Sequence, residues 1–347
     1  MDKFETKIQL YIESLLPKQL GENKNLKVRS ISGLGQGTGN LNYLVKANGK
    51  KFVFRMNMNP KNRKKSRREF DALRIIEPYD IGPKAIFIDE SRKSFDSDLL
   101  ILEYLEGKTL NKSGDYLKPI MYRKIGELCA NMHSIKIKGN LRRLGYNSLH
   151  RGYSDHMRFV KKEFIDYLNS KINDKELLKI IKEVYSNQSK NLPREKYEFE
   201  DVLSQGDFCE QNVIVHKKEY KLIDFEDMGL ADRANQISHI FADFGRPFNK
   251  EQQRLFFKTY LKKIKLDKKA LNKKIERWIP LKLFEIFLWS LKHVLIVKEG
   301  KMHPQFYENE DMNKNISYAK TMLKRCIRFG VIDKKYKGLD IENSLLV

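Results

Sequence analysis

Three polar residues, Asp207, Asn212 and Asp224, stand at a spacing that suits the transfer of a phosphoryl group. Asp207 and Asn212 lie in the segment Ser-Gln-Gly-Asp-Phe-Cys-Glu-Gln-Asn, and Asp224 follows twelve residues later in Leu-Ile-Asp-Phe-Glu. Transfer from ATP needs one carboxylate to orient and deprotonate the attacking hydroxyl, and an amide oxygen with a second carboxylate to hold Mg²⁺. We therefore predict that Asp207 is the catalytic base and that Asn212 and Asp224 are the metal ligands. A polar surface loop without a ligand is the alternative.

The stretch between the two predicted metal ligands reads as a β-hairpin. Apolar residues at 213–215 and 222–223 flank a polar tip at 216–221. Two short apolar runs around a polar turn are typical of paired antiparallel strands. The sequence therefore predicts a hairpin between Asn212 and Asp224.

The pattern resembles that of the aminoglycoside phosphotransferase and choline kinase superfamily, which is related to the protein kinases. Members usually have His-Gly-Asp-x₄-Asn followed by Ile-Asp-Phe/Trp-Glu, whereas protein kinases have Asp-Phe-Gly at the metal site. The triplet Asp-Phe-Glu at 224–226 fits the first version. Gln205 stands where the family usually has His, and it can donate and accept hydrogen bonds in its place. The match continues in the next loop at Gly229, Ala231 and Asp232. The last of these, Asp232, is a candidate substrate contact.

A glycine-rich segment, Gly-Leu-Gly-Gln-Gly-Thr-Gly-Asn, occupies residues 33–40 ahead of the strand-like residues 43–45. Alternating glycines allow backbone N–H groups to close over phosphates without obstruction by Cβ atoms. The spacing fits neither Gly-x-Gly-x-x-Gly nor a Walker loop, which excludes Rossmann and P-loop assignments. A flexible turn is the alternative reading. The resemblance makes the segment the nucleotide loop, with candidate contacts Gly35, Gln36, Gly37, Thr38, Gly39 and Asn40.

Strand alternation in Phe-Val-Phe-Arg at 52–55 puts Val53 and Arg55 on one face. By resemblance, Arg55 occupies the position of the cation that contacts the α- and β-phosphates, and a planar guanidinium suits phosphate oxygens. Its expected partner is Glu69 on the following helix, with Asp71 as a competitor. The alternative is an arginine that faces solvent from a strand.

Residues 99–107, Leu-Leu-Ile-Leu-Glu-Tyr-Leu-Glu-Gly, resemble the strand and hinge against which adenine docks, through backbone groups near Glu103 and Leu105. A buried strand without a ligand would give the same pattern. The resemblance implies an α+β, bilobal protein-kinase-like fold with ATP and Mg²⁺ between the lobes. We expect a five-stranded antiparallel sheet with one or two helices in an N-terminal lobe, 1–106. A mostly helical C-terminal lobe would cover 107–347.

Broken 3.6-residue periodicity predicts long helices over 116–135, 155–190, 249–266, 268–299 and 312–329. We expect Pro280 to split the fourth, because a proline in a helix interior removes a hydrogen bond. The most apolar stretch, 281–297, contains four ionisable residues, which favours a buried helix over a membrane span. Residues 1–20 lack the apolar core of a signal peptide, so we expect a cytoplasmic protein.

The chain is strongly basic, with 68 Lys and Arg against 45 Asp and Glu and a formal net charge of +23. The basic residues cluster at 61–68, 136–151 and 249–277, and the last range holds eleven basic and three acidic residues. A lysine-rich composition is the simplest explanation, but an imbalance this large suggests a polyanionic partner. The candidate substrate contacts on this basis are Lys262, Lys263, Lys268 and Lys269.

Three functions are compatible with these features. The first is ATP-dependent phosphorylation of a hydroxyl on RNA, such as a tRNA ribose, because the superfamily includes an archaeal tRNA 2′-kinase that this basic chain could resemble. The second is a small-alcohol kinase that acts on choline, a sugar, an amino alcohol or an aminoglycoside. The third, a pseudokinase that only binds RNA or nucleotide, is disfavoured because Asp207, Asn212 and Asp224 are all present. Only charge separates the first two, and it favours RNA.

Overall fold

The computed structural model describes residues 3–19, 26–36, 40–57, 65–136, 152–192, 201–300 and 311–346. In chain order the described strands are β1 (Val28–Gln36), β2 (Asn40–Ala47), β3 (Lys50–Asn57), β4 (Ala85–Asp89), β5 (Leu99–Glu103), β6 (Lys108–Thr109), β7 (Asp201–Ser204), β8 (Val213–His216), β9 (Glu219–Leu222) and β10 (Gly229–Asp232). The helices are α1 (Lys3–Gln19), α2 (Lys65–Ile76), α3 (Pro119–His133), α4 (Tyr153–Val160), α5 (Asp166–Asn169), α6 (Lys175–Lys190), α7 (Arg233–Ala242), α8 (Lys250–Lys263), α9 (Lys268–Lys298), α10 (Met312–Arg328) and α11 (Ile341–Leu346).

The chain forms two compact units that are not continuous in sequence. Unit 1 contains Met1–Tyr116, Gln205–Asp207 and Gln211–Met228. Unit 2 contains Leu117–Ser204, Phe208–Glu210 and Gly229–Val347. The functional division into lobes at residue 107 stays a prediction.

Unit 1 is built on a five-stranded sheet in the order β1-β2-β3-β5-β4, in which all neighbours are antiparallel. The predicted five-stranded antiparallel sheet is therefore confirmed. β2 and β3 are joined by a tight turn at Asn48 and Gly49, which both have positive φ, 47° and 77°. Asn-Gly suits this turn because both central residues must adopt the left-handed conformation.

Aromatic side chains pack α1 beside β3. The Tyr11 ring makes edge contacts with Phe54 and Phe95, at centroid distances of 6.2 and 5.5 Å, and the Tyr11 hydroxyl donates to Asp89 Oδ2 at 2.6 Å. Aromatic pairs in this geometry add specific attraction to the burial of apolar area. Phe54 precedes Arg55 on β3, so this packing helps to fix the strand that carries Arg55.

The predicted hairpin is present in unit 1. β8 and β9 pair antiparallel with Val213 opposite Leu222, and Lys217 in the connecting turn has a φ of 54°. Just beyond the paired residues, the N–H of Ile223 donates to the carbonyl oxygen of Asn212 at 2.9 Å. The hairpin thus brings Asn212 and the residue before Asp224 to one end of the same ladder.

Unit 2 is mostly helical, and its helices lie close to the predicted stretches. In place of one helix over 155–190 there are α4, which starts at Tyr153, a π-helical turn at Lys161–Ile165, α5 and α6, with a break before Lys175. The antiparallel pairing of β7 with β10 was not predicted.

The prediction that Pro280 splits a helix is wrong, because α9 runs through it without interruption. Trp278 and Leu281 are buried on either side of the proline, and Gln188 Nε2 donates to the Pro280 carbonyl oxygen at 3.0 Å. Burial of the flanking turns outweighs the local cost of the proline. Among the described helices, α9 included, none is long and apolar enough to cross a membrane.

Substitution of Gly126 tests the packing of α3 against α8. A Cβ atom at this position would lie 2.3 Å from the carbonyl oxygen of Phe256. We expect Gly126→Ala to lower the free energy of unfolding by about 1–3 kcal/mol, because the helices must separate to make room. Gly338→Ala is the control, since no atom lies within 4 Å of its added Cβ. Urea denaturation measures both, and equal stability of the two variants would contradict this packing.

Candidate active site

The loop after β7 carries Asp207 and ends in a short 3₁₀ turn, Glu210–Asn212. The Nδ2 atom of Asn212 donates to both the carbonyl oxygen and the Oδ2 of Asp207, each at 2.9 Å. One amide group therefore fixes the backbone and the carboxylate of Asp207 together. Because its nitrogen is turned toward Asp207, the amide oxygen of Asn212 points away from that carboxylate.

Asp224 follows β9 and has a φ of 63°. A non-glycine residue in this left-handed region is uncommon, and such strain is concentrated at functional sites. The preceding residue, Ile223, is bonded to Asn212 through the backbone at 2.9 Å. The structure thus places the two predicted metal ligands on neighbouring backbone segments.

Gln205 bridges the two loops from a fully buried position. Its Nε2 donates to the carbonyl oxygens of Ile223 and Asp224 at 3.0 and 2.6 Å, and its Oε1 accepts from the backbone N–H of Asp207 at 2.8 Å. The side chain donates and accepts as expected of a residue in the usual His position.

Gly206 allows the close approach of these loops. It has a φ of 99°, and a Cβ atom there would lie 2.5 Å from the carbonyl oxygen of Asp227. Both the conformation and the space require glycine at this position.

Arg55 lies among three carboxylates and is 8% exposed. Its Nε is 3.1 Å from Glu69 Oε2, and its Nη2 is 2.6 Å from Asp224 Oδ1 and 3.6 Å from Glu226 Oε2. Burial alone would lower the pKa of Arg55, but the three carboxylates raise it above its ordinary value. Glu69 is therefore the helical partner of Arg55, and Asp71 is exposed.

Helix α2 also contacts the segment after β9 through two cations, Lys65 and Arg68, which the sequence placed in the basic cluster at 61–68 and not in the site. Lys65 Nζ lies 2.7 Å from Glu226 Oε1. The guanidinium of Arg68 donates to the carbonyl oxygen of Met228 through Nη2 at 2.8 Å and Nε at 3.1 Å. Lys65 stands four residues before Glu69, a spacing that puts both on one helix face and could have identified it.

Oxygen donors suited to Mg²⁺ are present at Asn212 and Asp224, since Mg²⁺ prefers carboxylate and amide oxygens. Glu69, Asp224 and Glu226 also bring oxygen atoms within 4.8 Å of one another. In that group, however, the Arg55 guanidinium already pairs with every carboxylate. Asp224 is the most exposed of the three, at 32% against 3% for Glu69 and 16% for Glu226, and it pairs with Arg55 through Oδ1. The metal-binding roles of Asn212 and Asp224 stay predictions.

The sequence profile of the phosphotransferase enzyme family matches residues 30–270, more than half of the chain. The chain belongs to this family. No curated protein matches the phosphotransferase in sequence.

Solved structures with the same fold include several kinases of small molecules. A spectinomycin phosphotransferase solved with ADP and spectinomycin superposes with a TM-score of 0.63 at 13% identity, covering 88% of this chain and 94% of its own. An ethanolamine kinase of Plasmodium vivax superposes with a TM-score of 0.61 at 17% identity, over 92% of this chain and 86% of its own. For a choline/ethanolamine kinase family protein from Mesorhizobium loti the TM-score is 0.62 at 14% identity, over 96% of this chain and 97% of its own. At such identities the likeness shows the fold, and it confirms the α+β, protein-kinase-like prediction.

The glycine-rich segment of the phosphotransferase is only partly described. Gly35 and Gln36 end β1, whereas Gly37, Thr38 and Gly39 lie outside the described residues. Asn40 begins β2, and its Nδ2 donates to Glu226 Oε2 at 2.9 Å.

At the predicted hinge of the phosphotransferase, Glu103 ends β5. Its N–H donates to the Lys84 carbonyl oxygen at 2.9 Å, and its Oε2 accepts from the Lys84 N–H at 3.0 Å. Leu105 follows in an irregular segment and is half-buried. The nucleotide contacts at both residues stay predictions.

The predicted substrate contacts of the phosphotransferase lie in unit 2. Asp232 is fully buried and caps α7 by accepting from the N–H groups of Ala234 and Asn235 at 2.8 and 3.3 Å, which is a structural role. The four predicted lysines are exposed, at the end of α8 and the start of α9: Lys262, Lys263, Lys268 and Lys269. Of the other basic clusters, residues 61–64 and 137–151 lie outside the described residues.

Substitution of Gln205 tests the bridge between the two loops. Gln205→Leu leaves three backbone groups without their partner, and we expect the phosphotransfer rate to fall about 100-fold because the reacting groups lose their alignment. Gln205→His keeps one donor and one acceptor and should stay within about tenfold of the unsubstituted rate. Steady-state kinetics, with melting curves to check folding, separate the two. Equal rates for the Leu and His variants would show that the bridge does not position the site.

Proposed function

We propose that the chain transfers the γ-phosphate of ATP to a hydroxyl group of a small molecule. The observation that carries the proposal is the arrangement of Asp207, Asn212 and Asp224 in unit 1, joined by the Gln205 bridge and the backbone bond between Ile223 and Asn212. Membership of the phosphotransferase enzyme family supports it.

Each residue has a role in this proposal that follows from its chemistry. Asp207 accepts the proton of the acceptor hydroxyl, with its carboxylate oriented by Asn212. Asn212 and Asp224 hold Mg²⁺, which when bound neutralises charge on the phosphates. Arg55 braces the phosphates from β3, and Glu69 keeps its guanidinium in place.

The acceptor is better explained as a small molecule than as RNA. The prediction of an RNA substrate, including the similarity to a tRNA kinase, depended on net charge alone. The family match and the solved structures favour the alternative, since those structures include a spectinomycin phosphotransferase and an ethanolamine kinase. Sugars, amino alcohols, choline and aminoglycosides are the acceptor classes to test.

Label transfer from γ-labelled ATP identifies the acceptor class. We expect label on one or more alcohols in a panel of choline, ethanolamine, sugars and aminoglycosides, and none on total tRNA. Because a small acceptor releases few counterions, its KM should change little between about 50 and 200 mM salt. Label on tRNA together with a steep loss of binding in salt would overturn the small-molecule acceptor.

Replacement of the base tests the mechanism independently of the acceptor. We expect Asp207→Ala to lower kcat by about 10²–10⁴-fold, since general-base catalysis contributes that much, while ADP affinity changes little. Asp115→Ala is the control. Asp115 is another carboxylate of unit 1, and it accepts a hydrogen bond from the Tyr220 hydroxyl at 2.8 Å. An Asp207→Ala variant that keeps most of its activity would mean that the catalytic loop has been misassigned.

A further inference from the structure

Both carboxylate oxygens of Glu226 are engaged by side chains of unit 1. Oε1 lies 2.7 Å from Lys65 Nζ. Oε2 accepts from Asn40 Nδ2 at 2.9 Å and lies 3.6 Å from Arg55 Nη2. A carboxylate that is surrounded by one amide and two cations has little capacity left to coordinate a metal ion.

The partners of Glu226 come from three different elements. Asn40 is the first residue of β2 and ends the glycine-rich segment, Arg55 lies on β3, and Lys65 is the first residue of α2. Asn40 is 186 residues from Glu226 along the chain. One side chain after β9 therefore joins the end of the predicted nucleotide loop, the predicted phosphate brace and the start of α2.

Helix α2 holds the same segment at two further points. The backbone N–H of Phe225 donates to Glu69 Oε1 at 3.4 Å, and Arg68 donates to the carbonyl oxygen of Met228. Lys65 and Glu69, four residues apart, reach it from one face of the helix. Lys65 Nζ also lies 3.8 Å from Asp227 Oδ2, so the contact of Lys65 with Glu226 is one of several attachments of α2 to this segment.

The contact between Lys65 and Glu226 is partly shielded from water. The exposed fractions of the two side chains are 27% and 16%. Charge-assisted hydrogen bonds of this kind are stronger than neutral ones.

We propose that Glu226 is a positioning residue rather than a metal ligand, and that with Lys65 and Asn40 it fixes the end of the glycine-rich segment beside Arg55. The inference rests on the proposed function, because it assumes that this segment and Arg55 bind the phosphates of a nucleotide. It follows that Glu226 supports nucleotide binding with or without Mg²⁺. The requirement for Mg²⁺ depends instead on Asn212 and Asp224.

Calorimetric titration of the full chain with ADP, in EDTA and in Mg²⁺, separates the two roles. We expect Glu226→Gln and Lys65→Met each to weaken ADP binding about tenfold in both media, the loss of about one charge-assisted hydrogen bond. The double variant should bind ADP little more weakly than either single variant, because both substitutions break the contact between Lys65 and Glu226. Lys65→Arg should restore most of the affinity. Asp224→Asn should instead reduce the gain in affinity that Mg²⁺ provides.

Arg67→Met is the matched control, because Arg67 lies on the same helix and pairs with Glu90 at the surface. It should bind ADP as the unsubstituted chain does, and melting curves check that every variant is folded. If Glu226→Gln binds ADP normally in EDTA but loses the gain from Mg²⁺, Glu226 is a metal ligand and the inference is wrong. Equal affinities for Lys65→Met and Arg67→Met would also overturn it. Failure of the unsubstituted chain to bind ADP would overturn the proposed function, and the inference with it.

Discussion

The buried guanidinium of Arg55 is the constraint on which the organisation of unit 1 depends. A buried cation is costly unless it is paired, and removing one partner of such a group typically costs about 3–5 kcal/mol. The partners of Arg55 are Glu69 on α2 and two carboxylates after β9, Asp224 and Glu226. To keep these charges paired, β3, α2 and the segment after β9 must fold together, although they are far apart in sequence.

Backbone contacts then set the finer geometry of the candidate site. The hairpin of β8 and β9 brings Asn212 next to Ile223, and the Gln205 side chain joins the loop of Asp207 to that of Asp224. Asp224 has a left-handed conformation, and hydrogen bonds hold the backbone on both sides of it, from Gln205 to the Ile223 carbonyl oxygen and from the Phe225 N–H to Glu69. Phosphoryl transfer needs mainly positioning and charge stabilisation, so a rigid frame of this kind suits the proposed reaction.

Features encoded in local sequence could be predicted, and features that depend on distant contacts could not. The hairpin after Asn212 follows from two short apolar runs around a polar turn, whereas the choice of Glu69 over Asp71 depends on which side of α2 faces Arg55. The contact between Asn40 and Glu226 has no local signal at all. The predicted break at Pro280 is wrong because burial of the flanking helical turns outweighs the cost of a proline in a helix interior. Net charge does not identify the acceptor, because it describes the whole surface rather than one site.

A crystal structure of the chain with Mg²⁺ and a non-hydrolysable ATP analogue would test the central claim most directly. We expect the amide oxygen of Asn212 and the carboxylate of Asp224 to coordinate the metal ion. Arg55 should lie against the phosphates, and Glu226 should remain paired with Lys65. A metal ion bound by Glu226, or a nucleotide bound away from Arg55 and Asp224, would contradict the account.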